Sequence, residues 1–122
     1  MTAPKEYGLA TPINYENLLN AGFEMRDSAT YTFKRTLCKY TNSTIPYVIL
    51  KILILNNRLS YVVTRLDGTT YSPFYNPEQR YNNLVYNSIV REFHKVMDGL
   101  VKKGVLIHLK RKKHGKRRSN KN

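Results

Sequence analysis

The feature that most constrains the fold is an apolar run at residues 47–55, Tyr-Val-Ile-Leu-Lys-Ile-Leu-Ile-Leu, which is mostly β-branched residues and leucine. It contains a lysine and is far shorter than the roughly 20 residues that span a membrane, so it predicts a central β-strand. Asn56 and Asn57 follow, and asparagine tolerates the positive φ angles of a two-residue hairpin. Residues 59–66 would form the returning strand. The sequence therefore predicts an antiparallel hairpin at the centre of the fold.

Further strands are predicted on both sides of this hairpin. From residue 30 onward, Tyr31, Phe33 and Leu37 alternate with polar residues, which is typical of a half-buried strand. After the hairpin, Asp67-Gly68 predicts another tight turn, leading into a strand at residues 69–75. Pro73 would lie at an edge or near the end of that strand, since proline cannot donate to the ladder. These segments together form a meander of three to four strands.

A short helix is predicted before the meander. Thr11 fits an N-cap, Pro12 fits the first helical position, and Gly22 fits the residue that ends the helix. The expected helix covers residues 12–21.

A long helix is predicted after the meander. Asn76 and Pro77 form a second helix start, and apolar residues then recur three and four positions apart. The helix is expected at residues 78–103, with Gly104 ending it. Residues 105–109 allow a short final strand.

The predicted fold class is α+β, because an antiparallel meander and two helices pack most simply with the helices on one face. A chain of 122 residues can bury one core but not two. We therefore expect a flexible lead-in at residues 1–11, a single domain at 12–109 and a disordered basic tail at 110–122.

The tail suggests a binding partner. Residues 110–122 hold eight of the chain's 21 lysines and arginines and no carboxylate, in a chain of net charge +13. Such a block neutralises phosphates and releases counterions, so it favours nucleic acid, DNA or RNA, without sequence specificity. A solubilising or localisation tail is the alternative. The residues assigned to phosphate contact are Lys110, Arg111, Lys112, Lys113, Lys116, Arg117 and Arg118.

The open face of the sheet is a second candidate site. Side chains alternate along a strand, so Lys51 should face away from the helices if Ile52 faces them. Matching the neighbouring strands in the same sense adds Lys34, Tyr61 and Arg65 to this face. Cations mixed with tyrosines suit phosphates and stacked bases. The alternative is an ordinary solvated sheet face, and a slip of one residue would exchange the two faces.

Residues 71–81 form a third candidate, since they place four aromatic residues and Arg80 at a junction between strand and helix. Such a loop can bind a ligand, with Arg80 as an additional cation. The alternative is that aromatic residues such as Phe74 fix the start of the helix against the sheet.

The sequence predicts no catalytic residue, metal or cofactor. The three histidines lack the spacing of a metal site, the eight carboxylates are scattered, and Cys38 is the single cysteine. A binding protein is therefore expected rather than an enzyme. The first residues lack the pattern of a signal peptide, which predicts a cytoplasmic protein without membrane contact.

The predicted α-β-β-β-α order over residues 12–103, with a basic surface, resembles the double-stranded-RNA-binding domain. In that family a lysine cluster opens the second helix and grips phosphates. Here the corresponding residues 76–80 read Asn-Pro-Glu-Gln-Arg, and the family's Gly-Pro-x-His element is absent. The resemblance is one of element order and implies an α+β fold.

Two functions remain open. The first is a small protein that binds nucleic acid or a ribonucleoprotein. The second is an accessory or inhibitor protein of a phage or mobile element, which docks its sheet or long helix on a host protein. The broad apolar face of the long helix also leaves a homodimer open.

Overall fold

The computed structural model describes residues 6–39, 46–80 and 84–109. The predicted basic tail lies outside these residues. The strands are β1 (Tyr7–Leu9), β2 (Glu24–Asp27), β3 (Thr30–Lys39), β4 (Pro46–Leu55), β5 (Arg58–Arg65) and β6 (Leu106–His108). The α-helices are α1 (Tyr15–Asn20) and α2 (Leu84–Lys102), and single 3₁₀ turns occupy Ser72–Phe74 and Pro77–Gln79.

The central hairpin forms as predicted. β4 and β5 pair in antiparallel fashion from Leu55 opposite Arg58, and the two turn residues Asn56 and Asn57 have φ of 51° and 64°. Four strands make the main sheet in the order β2-β3-β4-β5. β1 and β6 pair in a separate two-stranded sheet. Sequence neighbours are thus also neighbours in the main sheet, as expected for a meander.

The core lies between the main sheet and α2. Alternate residues of β4 are at most 2% exposed, which marks one face of the sheet as buried. The residues of α2 that meet this core are spaced three and four apart and are Tyr86, Ile89, Val90, Phe93, Met97 and Leu100. The α+β prediction, with a short final strand, is therefore confirmed. In the described part of the chain, no helix combines the length and apolar character needed to cross a membrane.

The short helix starts later than the sequence suggested. α1 begins at Tyr15, and the side-chain oxygen of Asn14 accepts the backbone N–H of Asn17 at 3.1 Å. The prediction of Thr11 as N-cap was wrong, because Asn14 provides the capping oxygen at the position where the helix can start. Gly22 has φ of +107° and follows the helix end, as predicted.

The strand predicted at residues 69–75 is replaced by turns. Thr70 bridges Thr64, and the chain then enters the first 3₁₀ turn. Pro73 explains the difference, since its fixed φ and missing N–H end the ladder. Asn76 does cap a helical segment, but that segment is the second 3₁₀ turn. The described part of the long helix begins at Leu84.

Two short strands were not predicted. β1 lies inside residues 1–11, which were expected to be a flexible lead-in, and it pairs with β6 from Tyr7 opposite His108. β2 pairs with the first residues of β3. The predicted α-β-β-β-α order is present as α1, β3, β4, β5 and α2, with these strands added.

Candidate functional site

The strand register places Lys34 and Lys51 opposite each other on the outer face of the main sheet. Ile52 is 2% exposed and belongs to the core, so its neighbour Lys51 points the other way. The predicted outward orientation of both lysines is therefore correct. Their contact with phosphate stays a prediction.

This pair of lysines has no paired counter-charge in the part of the chain that the structure describes. Like charges on directly opposed strand residues repel and destabilise a sheet. Within the described residues, neither ammonium group forms an ion pair or a hydrogen bond. The nearby Glu24 carboxylate is paired with Arg26, at 3.1 Å between Oε1 and Nη2. The pair therefore keeps an uncompensated positive charge that an anion would neutralise.

The outer face is concave around the two lysines. The concavity has a volume of about 660 Å³, within the range of ligand sites in proteins. Its hydroxyl donors are Thr32 and Ser60, and its apolar surface comes from Leu53 and Val62. The arrangement offers charge and hydrogen-bond donors above an apolar floor, which suits a phosphate-bearing ligand.

Tyr61 does not belong to this face, so the sequence prediction was wrong. It pairs with Ile52, and directly opposed residues share a face. Its ring centroid lies 6.0 Å from that of Phe93, and its hydroxyl accepts the N–H of Tyr7 at 3.3 Å. Burial raises the pKa of Tyr61. The ring is therefore part of the core side and cannot stack with a base on the outer face.

Arg65 also lies on the core side of the sheet, again contrary to the prediction. It pairs with Val48, which is fully buried. Its guanidinium is exposed and lies 6.0 Å from the centroid of the Tyr71 ring. The sheet therefore separates Arg65 from Lys34 and Lys51.

Arg80 has a structural role. Its Nε donates to the carbonyl of Pro73 at 2.8 Å and its Nη2 donates to that of Phe74 at 2.7 Å. The same guanidinium lies 5.2 Å from the centroid of the Tyr86 ring. Phe74 packs edge-on against Phe93, with centroids 4.9 Å apart. Residues 71–80 are therefore packed against α2, and the guanidinium of Arg80 already forms hydrogen bonds within this segment.

The sequence reasoning missed several residues of the outer face. Arg26 lies in β2, whose four exposed residues give no alternating signal. Arg58 and Ser60 could have been found, because a two-residue turn fixes every pair between β4 and β5. Counting from that turn places Arg58 opposite Leu55 and Ser60 opposite Leu53.

The tail residues Lys110, Arg111, Lys112, Lys113, Lys116, Arg117 and Arg118 lie outside the described residues. The strand that leads to them is fixed to α2. Asp98 Oδ1 accepts the hydroxyl of Tyr7 at 2.8 Å and lies 3.5 Å from His108 Nε2. Burial and the bond to Asp98 raise the pKa of Tyr7 well above its usual value. The backbone just before the tail is thus held by β1 and α2.

A solved structure with the same fold is the crystal structure of a DUF1831 family protein from Lactobacillus plantarum. The TM-score is 0.69 at 15% sequence identity, and the match covers 89% of this chain and 94% of that chain. At this identity the likeness shows the fold alone. No protein-family model matches the sequence, and neither does any curated protein.

Proposed function

We propose that the protein binds nucleic acid through its phosphates, with Lys34 and Lys51 as the contact on the folded body. The observation that carries this proposal is the opposed lysine pair, which has no carboxylate partner among the described residues and lies in a concavity of about 660 Å³. The cations of residues 110–118 would add a second, non-specific contact.

Phosphates fit this face better than bases. Two aromatic residues line the concavity, Phe33 and Tyr61, but both rings lie on the core side of the sheet. The ring of Phe33 packs on Phe23, and the ring of Tyr61 packs on Phe93. The outward side chains of the lining are charged, hydroxyl-bearing or aliphatic. Stacking of bases on aromatic rings therefore has no support here, and the affinity should depend little on base identity. Binding to nucleic acid, together with the half-buried thiol of Cys38, fits the cytoplasmic location that we propose.

The test is fluorescence anisotropy of the full chain with a labelled duplex and a labelled single strand, over a series of salt concentrations. The variant is Lys34→Gln/Lys51→Gln. The control is Arg91→Gln/Lys102→Gln, which removes the same charge from exposed positions on α2, the opposite layer of the fold. Removing two phosphate contacts should weaken binding about tenfold or more. The slope of log K against log salt should fall by nearly two units for the duplex.

The control should change affinity and slope far less, because only net charge is altered. Equal losses in the two variants would overturn the role of the sheet face. A partner that is captured by the full chain and survives nuclease treatment would favour the alternative of a host protein.

A further inference from the structure

A second concavity lies on the other side of the sheet, between β3 and α2. Its volume is about 360 Å³. Three cations line it, Arg35 from β3 and Lys95 and Lys103 from the helix side, against one carboxylate, Glu92. Within the described residues, none of these four side chains takes part in an ion pair. The cleft therefore has an excess of positive charge.

Gly99 lies in the wall of this cleft, inside α2. A Cβ built on it would meet no atom within 4 Å, and its backbone has no positive φ. Neither packing nor conformation thus requires glycine here, although glycine destabilises a helix interior relative to alanine. A bare backbone does allow close approach of a ligand.

The charges surround this bare position. Lys95, Gly99 and Lys103 are four residues apart. Lys103 directly follows α2 and still donates its backbone N–H to the carbonyl of Gly99 at 3.1 Å. The three residues therefore form one stripe, with the glycine between the two lysines. Arg35 comes from the opposite wall, and its guanidinium lies 4.9 Å from the centroid of the Phe33 ring. Glu92 is displaced from Gly99 by about 10 Å along the helix axis. The carboxyl-terminal dipole of α2 is equivalent to about half a negative charge, which the three cations outweigh.

We propose that this cleft is a phosphate-binding subsite. A phosphate group would lie against Gly99 between Lys95 and Lys103 and accept hydrogen bonds from the guanidinium of Arg35. The phosphate would belong to a mononucleotide or to the backbone of a nucleic acid. The subsite does not depend on the function proposed for the outer face. Lys34 and Arg35 are consecutive in β3, so they point to opposite sides of the sheet.

The test is titration of ¹⁵N-labelled full chain with inorganic phosphate at constant ionic strength, with chloride as the reference salt. The amide signals of Thr36 and Gly99 should shift and saturate. Gly99→Ala should weaken phosphate binding about tenfold, because the added methyl group would hold the phosphate away from the helix backbone, while it raises Tm. Lys95→Gln and Lys103→Gln should each weaken phosphate binding to a similar extent, because each removes one charge-assisted contact. The control Lys102→Gln removes a neighbouring charge outside the cleft and should leave the affinity for phosphate nearly unchanged.

Binding of phosphate to Gly99→Ala with the affinity of the unmodified chain would overturn the proposal, as would shifts that never saturate. The source of the phosphate is found by repeating the titration with a 5′-mononucleotide and with a short oligonucleotide that lacks terminal phosphates. Saturation by either ligand supports the subsite and names its source, whereas saturation by neither overturns it. Lys34→Gln/Lys51→Gln should not affect these shifts, so failure of one proposal can be told from failure of the other.

Discussion

At the scale of single residues, the orientation of Lys34 and Lys51 follows from alternation along a strand, and the sequence predicted it. The prediction was wrong for Tyr61 and Arg65, because the neighbouring strands were matched in the same sense without counting the residue pairs from the turn. A two-residue turn places Ile52 opposite Tyr61, so the tyrosine has to share the buried face. That part of the candidate site was predictable in principle. The cleft at Gly99 was not, since it depends on how α2 packs on β3.

Arg80 should matter for stability more than for binding. Arg80→Ala would leave the carbonyls of Pro73 and Phe74 without their donors, so the free energy of unfolding should fall by about 2 kcal/mol. Arg80→Lys should recover only part, because an ammonium group cannot reach two carbonyls as a planar fork does. Urea unfolding followed by circular dichroism measures the change.

The control for Arg80 is Arg58→Ala, at an exposed residue without a described partner, which should change stability by less than about 0.5 kcal/mol. If Arg80→Ala were as stable as this control, the structural role of the guanidinium would be wrong.

At the scale of elements, those that depend on local interactions could be predicted from the sequence, whereas those that depend on contacts between distant segments could not. The β4–β5 hairpin and α2 carry their own signals, namely turn residues and apolar spacing, and the sequence located both. β1 pairs with β6 at the other end of the chain, so three residues near the amino terminus carry no local signal of that contact. The strand expected at residues 69–75 does not form, and the reason is local: Pro73 ends the hydrogen-bonded ladder after a single bridge.

The two glycines near the end of α2 should respond oppositely to alanine. Gly99 is in ordinary helix with open space around its Cβ position, so Gly99→Ala should stabilise the fold by up to about 1 kcal/mol. Gly104 has φ of +81°, and a Cβ there would lie 2.8 Å from Nδ2 of Asn17. Gly104→Ala should therefore destabilise by about 1–2 kcal/mol. Thermal and urea unfolding of the two variants test the difference, and changes of the same sign would contradict it.

At the scale of the whole molecule, the main sheet separates two basic surfaces. Lys34 and Lys51 lie on the outer face, while Arg35, Lys95 and Lys103 surround the cleft next to α2. The chain also has a net charge of +13, so both surfaces repel further cations and attract anions. The net charge follows from the composition alone. The division of that charge between two faces depends on the strand register and on how α2 packs, and composition does not show either.

The core should make the protein sensitive to alkali. Burial raises the pKa of several tyrosines, and that of Tyr71 rises from 10.0 to about 12. Between pH 10 and 12 the unfolded chain releases the Tyr71 proton whereas the folded chain keeps it, so the unfolded state is increasingly favoured as pH rises. The contribution of Tyr71 is fully present below pH 10, and roughly 1–2 kcal/mol should be lost by pH 12.

Urea unfolding at a series of pH values from 8 to 12 measures this loss, with Tyr71→Phe as the key variant because it keeps the ring and removes the ionisable hydroxyl. The free energy of unfolding should fall less steeply above pH 10 in Tyr71→Phe than in the unmodified chain. Tyr15→Phe is the control, since that ring is 44% exposed, and it should follow the unmodified chain. Deprotonation of lysines relieves repulsion in this pH range, but it acts equally in all three proteins. The difference between their slopes therefore isolates Tyr71, and identical slopes would show that its burial does not resist ionisation.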